Sequence, residues 1–176
     1  MVIDKKLKQK NLKFAKKARK IKLVLTDNDG VLTDTGVYYS IKGEELKRFS
    51  IRDGMGVERL RKILKMETGI ITGEESGSVL KRAEKLEIQV LYTGVKDKIL
   101  VLNEILKKNN LKTENVAFIG DDVNDYEIMK SVGFSAAPSD AVPYIKKIAD
   151  YVCENKGGNG AFREFAELII ALNIKE

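Results

Sequence analysis

From residue 21 onward, short runs of apolar, β-favouring residues alternate with longer segments in which apolar positions recur every three or four residues. The runs at 22–26, 68–72, 89–92, 116–119, 134–136 and 151–153 are predicted strands, and the longer segments at about 54–65, 75–86, 97–109, 124–132, 144–148 and 161–172 are predicted helices. Strand alternating with helix predicts an α/β fold, a Rossmann-like, doubly wound parallel sheet. One stretch breaks the rhythm. Residues 36–40 and 45–50 alternate as strands do, around the turn signal "IKGE", which predicts a β-hairpin directly after the first strand.

Composition narrows what such a fold can do. A chain of 176 residues has the size of one domain, and no room remains for a separate cap domain. The lone cysteine, Cys153, excludes an internal disulfide framework and suits a reduced, cytoplasmic setting. The complete lack of histidine excludes Ser-His-Asp and Cys-His nucleophilic systems and His-ligated metal sites. No apolar run approaches the ~20 residues of a membrane span. The net charge of +6 is unevenly placed: residues 1–22 carry +9 and the remainder −3. Residues 1–20 therefore read as a basic leading helix, solvated on one face and docked by Leu7, Leu12, Phe14, Ala15 and Ala18 on a domain spanning 21–176. No nucleic-acid or membrane partner is expected.

The first predicted strand ends in "LVLTDNDGVLTDTG". Alternation along a strand sends Asp27 and Asp29 to one side and Asn28 to the other. Two carboxylates so close share either a proton or a hard metal ion. A third acidic group favours the metal, and "VAFIGDDVND" supplies Asp121, Asp122 and Asp125 at the end of another apolar strand. "GIITGE" places Thr72 and Gly73 at a third strand end, and "LYTGVKDK" brings Lys98 just after a fourth. Ligands of doubly wound sheets bind outside the carboxyl ends of the strands. A hydroxyl, a backbone amide and a fixed cation are what a transferring phosphoryl group requires. On this reading Asp27 is the nucleophile, Asp29 the general acid and then base, and Thr72 and Lys98 hold the phosphoryl oxygens. Mg²⁺ would be held by Asp27, Asp121 and the Asp29 main-chain carbonyl. Asn28, turned away from the metal, is expected to hydrogen-bond inside the sheet–helix layer.

These segments resemble the haloacid dehalogenase superfamily of aspartate-nucleophile phosphatases, over nearly everything from residue 21 to 172. The stretches "DNDGVLTD", "KGEELKRFSIRDGMG", "IITGE", "YTGVKDK", "VAFIGDDVND" and "GGNGAFREFAE" are similar to the cap-less subfamily acting on 3-deoxy-ulosonate phosphates. The resemblance implies a metal set of Asp27, Asp29 and Asp121 supported by Asp122 and Asp125, with Thr72 and Lys98 binding phosphate. It also implies a homotetramer in which neighbouring subunits cover each site. The hairpin would be an oligomer surface, and a flexible "GGNG" run would carry Arg163 towards a phosphate or carboxylate. Substrate contacts are expected from Arg52, Asp53, Gly54, Gly73, Glu74, Arg82, Lys85 and Arg163. Glu74 and Glu58 stand where the octulosonate enzymes usually carry arginine. Glu74 and Lys85 are similar to the group acting on the nine-carbon KDN 9-phosphate, whereas Arg52 and Asp53 resemble the eight-carbon KDO 8-phosphate group. The balance tilts slightly to the nine-carbon acid.

Three other classes fit less well. In a receiver-type signalling domain the phosphorylated aspartate and the acidic pair lie on different strands, whereas here the candidate nucleophile belongs to the pair. A non-catalytic assembly module, of the kind appended to sugar-activating synthetases, would not need the full catalytic set. A dinucleotide enzyme is suggested only by the partial glycine patterns "DGMGVER" and "TGEESGS".

Overall fold

The structure, a computed structural model, describes residues 4–174. Residues 1–3 of the expected leading helix and 175–176 of the expected domain lie outside the described residues. The chain opens with two short helices, α1 (Lys5–Lys10) and α2 (Ala15–Ala18), before strand β1 (Leu23–Thr26). A hairpin of β2 (Thr33–Ser40) and β3 (Gly43–Phe49) leads to α3 (Ile51–Arg59). Strand and helix then alternate: β4 (Glu67–Ile71), α4 (Gly77–Lys85), β5 (Val90–Tyr92), α5 (Lys98–Lys108), β6 (Val116–Ile119), α6 (Tyr126–Ser131), β7 (Phe134–Ala137), α7 (Pro143–Ile148), β8 (Tyr151–Val152) and α8 (Ala161–Asn173).

Six strands form one parallel sheet in the order β5-β4-β1-β6-β7-β8, so the chain builds outward on one side of β1 and then on the other. This is the α/β doubly wound sheet that the alternation predicts. β1 is buried along its whole length because helices cover both faces. Val24 packs into the cluster shared with Val57 of α3, Val79 of α4 and Phe165 of α8. Leu23 and Leu25 pack into the one shared with Leu102 of α5, Ile128 of α6 and Ile145 of α7. The strand order reverses between β1 and β6, and the crevice at their carboxyl ends is the ligand-binding position of such sheets.

Local chemistry moves several boundaries from the expected ones. The third helix starts at Ile51 because the Ser50 side chain accepts from the Asp53 N–H, and it ends in a π-turn at Leu60–Leu64. The leading segment is two helices where one was expected. Asn11, with φ −122°, leaves the helix, and its side-chain amide donates to the Leu7 carbonyl. Phe14 anchors the segment, its ring centroid 5.3 Å from that of Phe134, which in turn meets Phe165 at 5.1 Å. The last turn of α8 has no basic residue of its own. Instead Lys8 Nζ and Arg19 Nε donate to the Ile174 and Leu172 carbonyls, the placement that a helix C-terminus favours.

Asn28 departs from expectation. Its main-chain carbonyl accepts from the Leu32 and Thr33 N–H groups, but its fully buried side-chain amide has no hydrogen-bond partner. The partner expected inside the sheet–helix layer is absent. An unpaired buried amide costs roughly 1–3 kcal/mol. Asn28→Val is therefore expected to stabilise the protein by about that amount, read as a higher denaturant midpoint at unchanged slope. An unchanged or lower midpoint would show that the amide is satisfied in solution.

Candidate active site

A cavity of about 290 Å³ opens at the carboxyl end of the sheet and is lined by Asp27, Asp29, Thr35, Thr72, Gly73, Glu74, Asp121, Asp122, Val123 and Asn124. β1 delivers Asp27, β4 delivers Thr72 and β6 delivers Asp121, each immediately or shortly past the last strand residue. Thr72 is held rigidly: its N–H donates to the Tyr92 carbonyl, its carbonyl accepts from Val95 N–H, and its hydroxyl accepts from Glu74 N–H at 3.3 Å. Gly73 and Glu74 are exposed at the rim.

Lys98, the first residue of α5, lies outside the cavity lining and reaches the site through Asp27. Its Nζ lies 2.9 Å from Asp27 Oδ1 and 2.6 Å from Asp125 Oδ1. Burial works against its charge, but Asp27 and Asp125 outweigh it and raise its pKa. Asp125 is fully buried, and its other oxygen accepts from the Asp121 and Asp122 N–H groups. Both of its oxygens are thus committed to shaping the loop, while the exposed Asp122 caps Val123 N–H.

Asp27, Asp121 and Asp125 each offer an oxygen within 4.8 Å of the others. Burial first, then Asp125, pushes the Asp27 pKa up to about 7 against the pull of Lys98. Burial, followed by Asp27, Asp125 and Asp122, pushes Asp121 up to about 8. Asp121 Oδ1 is buried with no hydrogen-bond partner. The loop leaves room beside it only because residue 30 is glycine: at φ +86°, a Cβ there would lie 2.0 Å from Asp121 Oδ2. Crowded hard oxygens, one without a donor, fit a divalent cation such as Mg²⁺. Asp27 and Asp121 would hold it.

The Asp29 side chain takes a different partner. Lys47, on β3, places Nζ 2.8 Å from Asp29 Oδ1 and 2.9 Å from Oδ2. Lys47 and Thr35 are absent from the sequence expectations. Thr35 reaches the cavity through an irregularity in the hairpin, where the register shifts between Thr33 and Val37 and Thr35 adopts φ +66°. The alternation of "ELKRF" sets Lys47 and Phe49 on one face, the single sequence signal that Lys47 turns inward.

The remaining expected substrate residues are placed elsewhere. Asp53 is buried and accepts from the Gly160 and Arg163 N–H groups, tying α3 to the start of α8. Gly54 allows α3 to approach α4, since a Cβ there would lie 2.5 Å from an Arg82 guanidinium nitrogen. Arg82 donates to the Ser50 carbonyl and lies over the Phe49 ring. Lys85 lines a separate hollow with Glu58, Arg61, Lys62, Leu86 and Glu87. Arg52 is exposed on α3, outside the cavity lining. Arg163 does not reach the cavity either: it pairs with Glu167 at 2.8 Å, and the "GGNG" run is packed in place rather than free. Gly158 N–H donates to the Val31 carbonyl, and a Cβ on Gly157 would meet the Gly30 carbonyl oxygen at 1.8 Å.

Residues 1–165 match the family model of the haloacid dehalogenase-like hydrolases. The chain is 42% identical, over 154 residues covering 88% of it and 81% of the relative, to 3-deoxy-D-manno-octulosonate 8-phosphate phosphatase KdsC of Escherichia coli (strain K12). The crystal structure of the 3-deoxy-D-manno-octulosonate 8-phosphate phosphatase from Yersinia pestis matches with a TM-score of 0.87 at 40% identity, covering 90% of this chain and 85% of that one. The enzyme of that name from Moraxella catarrhalis, solved in complex with magnesium ion, phosphate ion and KDO, matches with a TM-score of 0.88 at 34% identity, covering 92% of each chain.

The raised carboxyls have a measurable consequence. The folded pKa values of about 7 and 8 lie above the ordinary value of 3.8, so between these limits the folded protein binds more protons than the unfolded chain. Their contribution to stability in metal-free protein is complete below pH 3.8 and is lost as pH rises through 7 to 8. Mg²⁺ requires the deprotonated carboxylates, so it is expected to raise the thermal midpoint more at pH 8 than at pH 6, with protons released on binding. Melting curves with EDTA or Mg²⁺ across this range test it; a Mg²⁺ shift independent of pH would contradict it.

Proposed function

The chain belongs to the haloacid dehalogenase-like hydrolases, and we propose that within that family it is a Mg²⁺-dependent phosphatase hydrolysing a 3-deoxy-ulosonic acid phosphate, KDO 8-phosphate foremost, through an aspartyl-phosphate on Asp27. The observation that carries this reading is the clustering of Asp27, Asp121 and Asp125 at the carboxyl ends of β1 and β6, with the buried Lys98 paired to Asp27 and Asp125. The curated and solved relatives named as KDO 8-phosphate phosphatases support the sugar-acid class.

Each residue has a distinct task. An Asp27 carboxylate oxygen attacks phosphorus, and the bond from phosphorus to the sugar oxygen breaks. Asp29 gives its proton to the departing alkoxide. The Asp29 carboxylate then takes a proton from water whose oxygen attacks phosphorus, releasing phosphate and regenerating Asp27. Thr72 and Gly73 line the cavity where phosphoryl oxygens would sit, and Lys98 keeps Asp27 oriented and offsets its charge. When bound, Mg²⁺ supplies the positive charge that lets an anionic carboxylate approach an anionic phosphoryl group.

The eight-carbon substrate is favoured over the sequence-based tilt to nine carbons because Glu74 and Lys85 do not share a site in this chain. Glu74 at the cavity rim favours KDN 9-phosphate as the second reading. The proposed assembly is a homotetramer, supported by the exposure of Tyr38, Tyr39, Ile41 and Leu46 on the hairpin. A cytoplasmic location is proposed from the free, buried Cys153; among the described residues no helix is long and apolar enough to cross a membrane.

Phosphate release from the eight- and nine-carbon esters, measured side by side with Mg²⁺, is expected to show the higher kcat/KM for KDO 8-phosphate. Asp27→Asn is expected to reduce it to background, and Asp29→Asn to lower kcat by about 10²- to 10⁴-fold. Retained turnover in Asp27→Asn would exclude the covalent route, and a preference for the nine-carbon ester would restore Glu74 as the specificity residue.

A further inference from the structure

The hairpin is solvent-facing along most of its length, with residues 35–42 all exposed, yet the Lys47 side chain is only 1% exposed. Its ammonium is held by both oxygens of Asp29 and by Glu44 Oε2 at 3.3 Å. Glu44 Oε1 accepts a hydrogen bond from the Ser76 hydroxyl, at the cap of α4, and that hydroxyl lies 2.8 Å from Ser78 Oγ. A continuous polar line thus runs from the start of α4, through the hairpin, to the carboxylate that serves as acid and base. Burial opposes the Lys47 charge, but Asp29 and Glu44 outweigh it, and its pKa is raised.

Stability alone does not account for this arrangement. Replacing a buried ion pair by well-packed apolar side chains is often neutral or favourable. A carboxylate on a short loop has other rotamers open to it, whereas one ammonium in contact with both oxygens restricts rotation about its terminal bond. The Thr33 hydroxyl adds a longer contact of 3.3 Å to Asp29 Oδ1.

We propose that Lys47 is the positioning residue for Asp29, so that proton delivery to the leaving group and proton removal from water depend on the hairpin being seated through Lys47 and Glu44. This rests on the phosphatase reading. Its distinguishing consequence is selectivity between steps. An alkyl ester loses an alkoxide that needs a proton, whereas p-nitrophenyl phosphate loses a phenoxide that leaves without one. Phosphorylation of Asp27 by the aryl ester should therefore survive the loss of Lys47, and hydrolysis of the resulting aspartyl-phosphate should not.

The experiment compares Lys47→Met, Lys47→Arg and Glu44→Gln with the unaltered chain, in rapid-quench and steady-state measurements with KDO 8-phosphate and p-nitrophenyl phosphate. Lys47→Met is expected to lower kcat for KDO 8-phosphate by about 10²-fold with little change in KM. With the aryl ester, its initial phosphorylation should fall less than about 10-fold while phosphoenzyme accumulates. Lys47→Arg should recover part of the loss, and Glu44→Gln should show the same pattern more weakly. An equal loss in both steps and with both esters, or unchanged kinetics in folded Lys47→Met, would overturn the proposal. Asp27→Asn separates the two readings: if it retains activity in the same assays, the phosphatase mechanism itself fails, whereas Asp27-dependent turnover with no step selectivity removes only the role of Lys47.

Discussion

The buried ammonium of Lys98 faces Asp27 and Asp125, and the excess of carboxylate around it is the constraint on which the crevice depends. Asp125 disposes of its charge by accepting from Lys98 and from two backbone N–H groups. Asp27 shares that ammonium without its burial being offset, and Asp121 Oδ1 has no hydrogen-bond partner. Their raised pKa values and the unpartnered Asp121 oxygen express the same imbalance, which a divalent cation would resolve. Glycines at the two loop corners are part of this constraint. A Cβ at Gly30 would occupy the place of Asp121, and one at Gly120 would lie 2.4 Å from Asp125 Oδ2.

Around that centre the fold is tied by contacts between segments far apart in the chain. Asp53 in α3 receives two backbone N–H groups from the start of α8. Arg48 of the hairpin pairs with Asp34 and donates to the Gly158 carbonyl and the Asn159 side chain. The tail glycines in turn press on the loop that follows β1. The three expected substrate residues in this group, Asp53, Gly54 and Arg82, therefore hold helices together in the isolated chain. Lys47 continues the same logic from the hairpin side, reaching the site through Asp29 rather than through the substrate.

Strand and helix positions were legible because burial imposes a period, and period is a property of neighbouring residues. The carboxyl-end aspartates were legible for a related reason: an apolar run that stops at "TDND" or "IGDD" marks a strand end, and parallel strands bring their carboxyl ends to one side. Even the internal breaks have local causes, since Asn11 and Ser50 act on backbone groups within four residues. The break at Asn11 escaped prediction because the apolar spacing continues through it, and the Ser50 cap starts its helix ahead of the apolar spacing that marks it.

Sequence by itself thus determined the α/β alternation, the hairpin insertion, the exclusion of histidine chemistry and the acidic strand ends that converge on the crevice. Tertiary structure alone decided which charges meet. Lys47 pairs with Asp29 across 18 residues, and the buried Asp53 carboxylate finds the Arg163 backbone N–H across 110. It also decided that Glu74 and Lys85 line different hollows and that the Asn28 amide finds no partner. The reason is physical. Periodicity reports which face of an element is buried, but the partner of a buried polar group is set by how layers pack and how loops close, and those depend on the whole chain at once.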